Sequence, residues 1–177
     1  MFWRRKKAVR PPDRLEVASG CRFRSADGGI TVTVTPEALR TMLGHGAVSG
    51  WRNETGGVLL GRYEDDHRTA AVLDVTGPPA GSSWGRTWFR RGAGDLDALL
   101  DQRWKQGIYY LGEWHTHPDS SPAPSPDDVR AMQSISTKPS YACPEPILLI
   151  LGGRDTNWHL NAMVIVGGVP VGMTPIW

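Results

Sequence analysis

Residues 112 to 128 read GEWHTHPDSSPAPSPDD, with prolines at 118, 122, 124 and 126. Proline lacks a backbone N–H and has a fixed φ, so the proline-rich part, 118–124, can be neither helix interior nor central strand. The residues before it, IYYLGEWH over 108–115, are rich in aromatic and aliphatic side chains and read as a strand. Those after it read as a helix from Ser125 to about Ser134. Ser125 stands where an N-cap would, Pro126 at the first helical position and Asp128 at the third. A strand end and a helix start must therefore meet across the seven-residue turn 118–124, whose prolines lower the entropy cost of ordering it.

On a strand, residues two apart project from one face, so His115 and His117 can aim both imidazoles at one point. A metal site is one reading of the pair, and a polar strand end is the other. Zinc accepts neutral imidazole nitrogen, and a catalytic zinc keeps three protein ligands and one open position. Asp128 fits as the third ligand if the turn folds the helix start back onto the strand end. The spacing of Ser125 and Asp128 is also that of a capping box, and the two roles are compatible. Glu113 shares the face of the two histidines by parity and is a rival base or fourth ligand. Asp119 and Asp127 read as solvated, and His45, His67 and His159 as ordinary histidines far from the motif. Trp114 reads as core packing.

The rest of the chain alternates strands and helices. ITVTVT (30–35) reads as a strand. PEALRTMLGHGA follows as a helix ending near Gly44 or Gly46, with Thr35 as its cap. GGVLLGRY (56–63) and TAAVLDVT (69–76) read as strands joined by the tight link EDDHR. Residues 77–85 read as loop and 86–91 as a short strand. DLDALLDQRWKQG carries Leu96, Leu99, Leu100 and Trp104 at helical spacing and stops at Gly107. PILLILG and WHLNAMVIVG read as neighbouring strands. The expected fold class is α/β: a mixed, mostly antiparallel, partly closed sheet flanked by two or three helices.

At 177 residues the chain suits one domain with a short tail. The expected division is a basic flexible tail over 1–14, with Arg4, Arg5, Lys6, Lys7 and Arg10, and a single domain over 15–177. A second reading of the tail is an anchor for an acidic partner or membrane surface. No apolar h-region of a secretory signal follows it, and no apolar run reaches the ~18 residues of a membrane span. A net charge of +2 does not point to nucleic acid as a main partner. Cys21 and Cys143 lack paired zinc spacing and read as free thiols of a reducing cytoplasm.

The spacing H-x-H, seven residues, S, two residues, D resembles the signature of the JAMM metalloproteases, the catalytic (MPN+) branch of the MPN/JAB domains. His115, His117, Ser125 and Asp128 match it without departure in spacing. The family also places a glutamate upstream, before a glycine-containing apolar strand, and NETGGVLLG with Glu54 is similar to that pattern. The resemblance spans about residues 30–166. It implies one Zn²⁺ per chain on His115, His117 and Asp128, with Glu54 as general base and Ser125 as hydrogen-bond donor to the oxyanion.

The stretch FRRGAGDLDALLDQRWKQGIYYLGEWHTHPDSSPAPSPDD resembles bacterial JAMM proteins encoded beside ubiquitin-like conjugation enzymes, including those of antiphage defence operons. That resemblance implies an isopeptidase or peptidase cutting after the C-terminal glycine of a ubiquitin-like protein, with E1-like and E2-like enzymes as possible partners. The alternatives are a sulfur-carrier-protein peptidase and a non-catalytic MPN-type scaffold. A metal-dependent nuclease would want a second metal and more carboxylates than surround the motif.

Overall fold

The computed structural model describes residues 17–64, 68–154 and 157–176. The basic tail expected over 1–14 and the middle of the EDDHR link lie outside the described residues. In chain order the elements are β1 (Cys21–Ser25), β2 (Thr31–Val34), α1 (Pro36–Val48), β3 (Gly56–Tyr63), β4 (Thr69–Val75), β5 (Ser83–Trp84) and β6 (Phe89–Arg90). There follow α2 (Leu96–Trp104), β7 (Tyr109–Pro118), α3 (Pro126–Thr137), a 3₁₀ turn (Pro139–Tyr141), β8 (Ile147–Arg154), β9 (Asn157–Val166) and β10 (Val169–Pro175).

Eight strands close into a barrel in the order β1-β10-β9-β8-β7-β3-β4-β2, and β5 and β6 form a separate two-stranded hairpin. Two barrel pairings are parallel, β2 with β4 and β7 with β8, and the remaining pairings are antiparallel. The mixed, mostly antiparallel sheet with helices around it is the expected fold class. Closure is complete because β1 and β10, at either end of the chain, pair with each other, Phe23 lying opposite Pro175. Neither was expected as a strand.

Apolar side chains sort into two layers. The first cluster draws on every barrel strand and on α1: Phe23, Val32, Leu59, Val72, Trp114, Leu149, Val164 and Met173 fill the barrel against Leu39 and Met42. The second lies on the outer face of β3, β7, β8 and β9. Val58, Leu60, Leu148, Ile150, Met163 and Ile165 meet Leu96 of α2 and Met132 and Ile135 of α3 there. Both buried cysteines are free, as expected.

Three boundaries differ from the sequence reading for physical reasons. Helix α1 starts as expected, with the Thr35 hydroxyl accepting the Ala38 N–H at 3.2 Å. It continues past Gly44 and Gly46 to Val48. Gly46 is there for packing: a Cβ would lie 2.1 Å from the Trp51 ring, which stacks on Trp158. Strand β7 runs on through both histidines to Pro118, because its parallel pairing with β8 continues to Gly153. The strand expected over 86–91 shortens to Phe89–Arg90, and its partner Ser83–Trp84 lies inside the stretch read as loop.

Candidate metal centre

Strand β7 lies between β3 and β8, and its register decides what faces what. Leu59 of β3 pairs with Gly112 and Leu60 with Tyr110, so Leu111 is the extra residue of a bulge. Downstream of the bulge the alternation is regular. Trp114 and Thr116 point into the barrel, where the Trp114 Nε1–H donates to the Thr76 carbonyl at 2.9 Å and the Thr116 hydroxyl accepts the Thr55 N–H at 3.0 Å. Glu113, His115 and His117 share the outer face, beside Leu148, Ile150 and Gly152 of β8.

The two imidazoles converge as the H-x-H spacing predicts, their Nε2 atoms 3.0 Å apart. His117 Nδ1 lies 3.0 Å from the Ser121 carbonyl oxygen. A carbonyl only accepts, so Nδ1 carries a proton, and in the neutral imidazole it is Nε2 that presents the lone pair. The proline-rich turn thus orients the second histidine. The turn is itself held by the Asp119 N–H on the Gly153 carbonyl at 2.8 Å and by Asn161 Nδ2 on the Pro122 carbonyl at 3.1 Å.

At the start of α3 the capping box forms in full. The Ser125 Oγ accepts the Asp128 N–H at 3.2 Å, and Asp128 Oδ2 accepts the Ser125 N–H at 2.7 Å. That leaves Asp128 Oδ1 free to face the strand, 3.4 Å from His115 Nε2. It also leaves the Ser125 hydroxyl proton able to donate elsewhere. The cap and a strand-facing Asp128 coexist, as the sequence allowed.

Glu54, just ahead of β3, completes the group. Gly56 pairs with His115, which puts Glu54 beside the end of β7. Its Oε1 is 3.9 Å from His117 Nε2, and one donor atom each of Glu54, His115 and His117 fits within 4.8 Å. These three residues could hold a metal ion, and Asp128 lies against the same two nitrogens. Tetrahedral ligands at ~2.0–2.1 Å from zinc would be about 3.3 Å apart, and the observed donor spacings of 3.0, 3.4 and 3.9 Å lie around that value.

Electrostatics agree with that fit. Burial, and then the charge of Asp128, push the Glu54 carboxyl up to about 8. Burial pulls the His115 imidazole down to about 4, with Asp128 opposing and His117 adding to the fall. In the metal-free chain this pocket therefore favours a neutral imidazole and a protonated Glu54, and a divalent cation would reverse the second preference.

Glu113 does not join the centre. Its Oε1 accepts from Arg91 Nε at 2.6 Å and from the Tyr110 hydroxyl at 3.3 Å. Parity placed it on the right face, but the pairing with Arg91, which has no local signature in sequence, draws it away. Also unanticipated is the hairpin β5–β6, whose Gly85 carbonyl accepts the Glu54 N–H at 2.9 Å.

Close approach of β3 to β7 requires a glycine opposite His115. A Cβ at Gly56 would lie 2.3 Å from the Trp114 carbonyl oxygen and 2.9 Å from both His115 Cβ and Phe89 Cε1. Gly56→Ala is expected to lower stability by about 1–3 kcal/mol, as overpacking does. The urea midpoint of the metal-free protein measures it, and an unchanged midpoint would show that the strands part without cost.

A JAB-type barrel carrying paired imidazoles on one strand, a carboxylate at the next helix start and a buried glutamate beside them defines the class of JAMM-type peptidases. The chain belongs to the prokaryotic homologs of the JAB domain, a family whose pattern matches residues 36–168. The CD-NTase/cGAS isopeptidase of Enterobacter hormaechei subsp. hoffmannii (strain UCI 50) is 45% identical over 142 residues, covering 79% of this chain and 78% of that protein. A probable metalloprotease, y4qB, of Sinorhizobium fredii (strain NBRC 101917 / NGR234) is 29% identical over 130 residues, covering 66% and 73%. The solution structure of protein DSY2949 from Desulfitobacterium hafniense shares the fold, with a TM-score of 0.59 at 22% identity over 82% of this chain and 89% of that one. Among the described residues no helix is long and apolar enough to cross a membrane.

Proposed function

We propose that the chain is a zinc isopeptidase or peptidase that cuts after the C-terminal glycine of a ubiquitin-like protein. The observation that carries this reading is the convergence of His115 Nε2 and His117 Nε2 on the Asp128 carboxylate, with Glu54 beside them. His115, His117 and Asp128 would hold one zinc ion. Zinc bound there supplies a Lewis acid that makes water nucleophilic near neutral pH and polarises the scissile carbonyl.

The chain's own side chains do the rest. Glu54 Oε1 accepts the proton of the attacking water and returns it to the leaving amine. The Ser125 hydroxyl, its oxygen already engaged by the Asp128 N–H, donates to the developing oxyanion. His117 is kept in one tautomer by the Ser121 carbonyl. An amide needs all of these, because its carbonyl is a poor electrophile and an amine a poor leaving group.

The substrate assignment draws support from the 45% identity to a CD-NTase/cGAS isopeptidase. By that likeness the substrate is a conjugate in which a CD-NTase is the modified protein, and the sequence resemblance to proteins of antiphage defence operons supplies the setting. A glycine-ended tail is thin enough to reach a centre recessed at a strand end.

The test is to incubate the zinc-loaded protein with a ubiquitin-like protein from its own genome, extended beyond the terminal glycine. Mass spectrometry should find a single cut after that glycine, abolished by chelation and restored by zinc. Cleavage that survives chelation would remove the metal from the reaction. Cuts elsewhere in the extension would remove the glycine specificity, and a sulfur-carrier substrate cut in preference would favour that alternative.

A further inference from the structure

The hairpin β5–β6 is not part of the barrel, yet it supports the centre. Its Gly85 carbonyl takes the Glu54 N–H, and its Phe89 ring lies over the Cα of Gly56, opposite His115. The base of the excursion is closed by the Gly92 N–H on Ser82 Oγ at 2.9 Å, with the Ser82 hydroxyl donating to the Pro79 carbonyl at 2.6 Å. Those bonds fix where the hairpin leaves and returns. They do not fix its lean against β7.

Arg91 does. It directly follows β6, and its Nε donates to Glu113 Oε1 at 2.6 Å. One terminal nitrogen donates to the Tyr141 hydroxyl at 2.6 Å and the other to the Gly92 carbonyl at 3.0 Å. Glu113 sits on β7, two residues before His115, and Tyr141 sits in the 3₁₀ turn that follows α3. One guanidinium thus joins the hairpin, the strand of both histidines and the segment beyond the helix that Ser125 caps. Arg91 and Glu113 are only 12% and 17% exposed, so solvent screens the pair weakly.

We propose that Arg91 is a positioning residue. Its planar fork, closed on Glu113 and Tyr141, clamps the β5–β6 hairpin against β7, and through Gly85 the hairpin holds the backbone of Glu54 at the centre. Lysine offers a point charge in place of a fork and cannot serve both partners in this geometry. The effect on turnover rests on the reading of Glu54 as base. The clamp itself does not.

Amide exchange followed by NMR on the whole chain, without substrate, separates the two. Three variants are compared: Tyr141→Phe, which removes one hydroxyl; Arg91→Lys; and Arg91→Met with Glu113→Gln, which leaves no buried charge unpaired. The Glu54 and Gly85 amides are expected to exchange about tenfold faster in the double variant and about threefold faster in Tyr141→Phe, with β8 and β9 unchanged. Arg91→Lys should fall between wild type and the double variant. With a cleavable substrate, the double variant should lose about tenfold in kcat with KM within about twofold, since the base and not the substrate surface is displaced. Unchanged exchange at Glu54 and Gly85 in both the double variant and Tyr141→Phe overturns the clamp. So does acceleration shared equally by β8 and β9, which would mean general loosening. If the wild-type chain cleaves no ubiquitin-like substrate, the proposed function fails while the exchange result still decides the clamp.

Discussion

Glu54→Gln is expected to lower turnover by about 10²–10⁴-fold, the contribution of a positioned general base, while leaving bound metal unchanged. Glutamine keeps the volume of the side chain. It also leaves the backbone bond from the residue 54 N–H to the Gly85 carbonyl intact. What it loses is the ability to take a proton. The same substitution should make the metal-free protein more stable at alkaline pH. Burial and the Asp128 charge raise Glu54 to about 8 in the folded chain against an ordinary value of 4.5, so above pH 8 the fold carries a buried carboxylate beside another negative charge. That costs on the order of a few kcal/mol, and glutamine removes the cost. Below pH 4.5 the carboxyl is protonated in both states and the gain should vanish. Urea titrations at pH 4 and 8.5 read the stability, and metal analysis with a peptidase assay reads the rest. Equal turnover would remove Glu54 from proton transfer. Loss of metal together with activity would make Glu54 a ligand, as its place within 4.8 Å of both imidazole donors also permits.

How far the centre could be read from sequence depends on how local each contact is. His115 and His117 needed only the two-residue period of a strand. Asp128 needed only the capping geometry that Ser125 and Pro126 announce, and that capping box forms. Glu54 was different. Its place is set by the pairing of Gly56 with His115, some sixty residues on, and nothing near Glu54 signals it. Only the family resemblance pointed there. Arg91 and Tyr141 had neither a local pattern nor a family signal, since their meeting with Glu113 depends on how a loop excursion folds back. The two closing strands failed for another reason. CRFRS does alternate, with Cys21, Phe23 and Ser25 buried and the arginines exposed, but it is five residues long and lies near the tail. In VPVGMTP, Pro170, Gly172 and Pro175 obscure a strand at a position where the pairing tolerates them.

Removing the metal should expose an opposition between His115 and Glu54 in the pH dependence of stability. The His115 imidazole is held down to about 4 in the fold. Its ordinary value is 6.5, so the unfolded chain binds more protons between pH 4 and 6.5, and stability rises with pH across that window. Glu54 is raised to about 8 from 4.5, so the folded chain binds more protons between pH 4.5 and 8, and stability falls across that window. Between 4.5 and 6.5 the two slopes cancel. From 6.5 to 8 only Glu54 acts, and the metal-free protein should lose roughly 2 kcal/mol at 1.36 kcal/mol per unit. Comparison with Glu54→Gln cancels every other titrating group, and in that variant the fall from pH 6.5 to 8 should disappear. A bound cation stabilises the fold by mass action and favours the ionised form of Glu54. The rise in Tm from metal loading should therefore be greater at pH 8 than at pH 6. Calorimetry of loaded and chelated protein at pH 6, 7 and 8 measures it. A metal-dependent shift of equal size at every pH would mean that the ion binds away from these side chains, and no shift at all would mean that the convergent donors hold no metal.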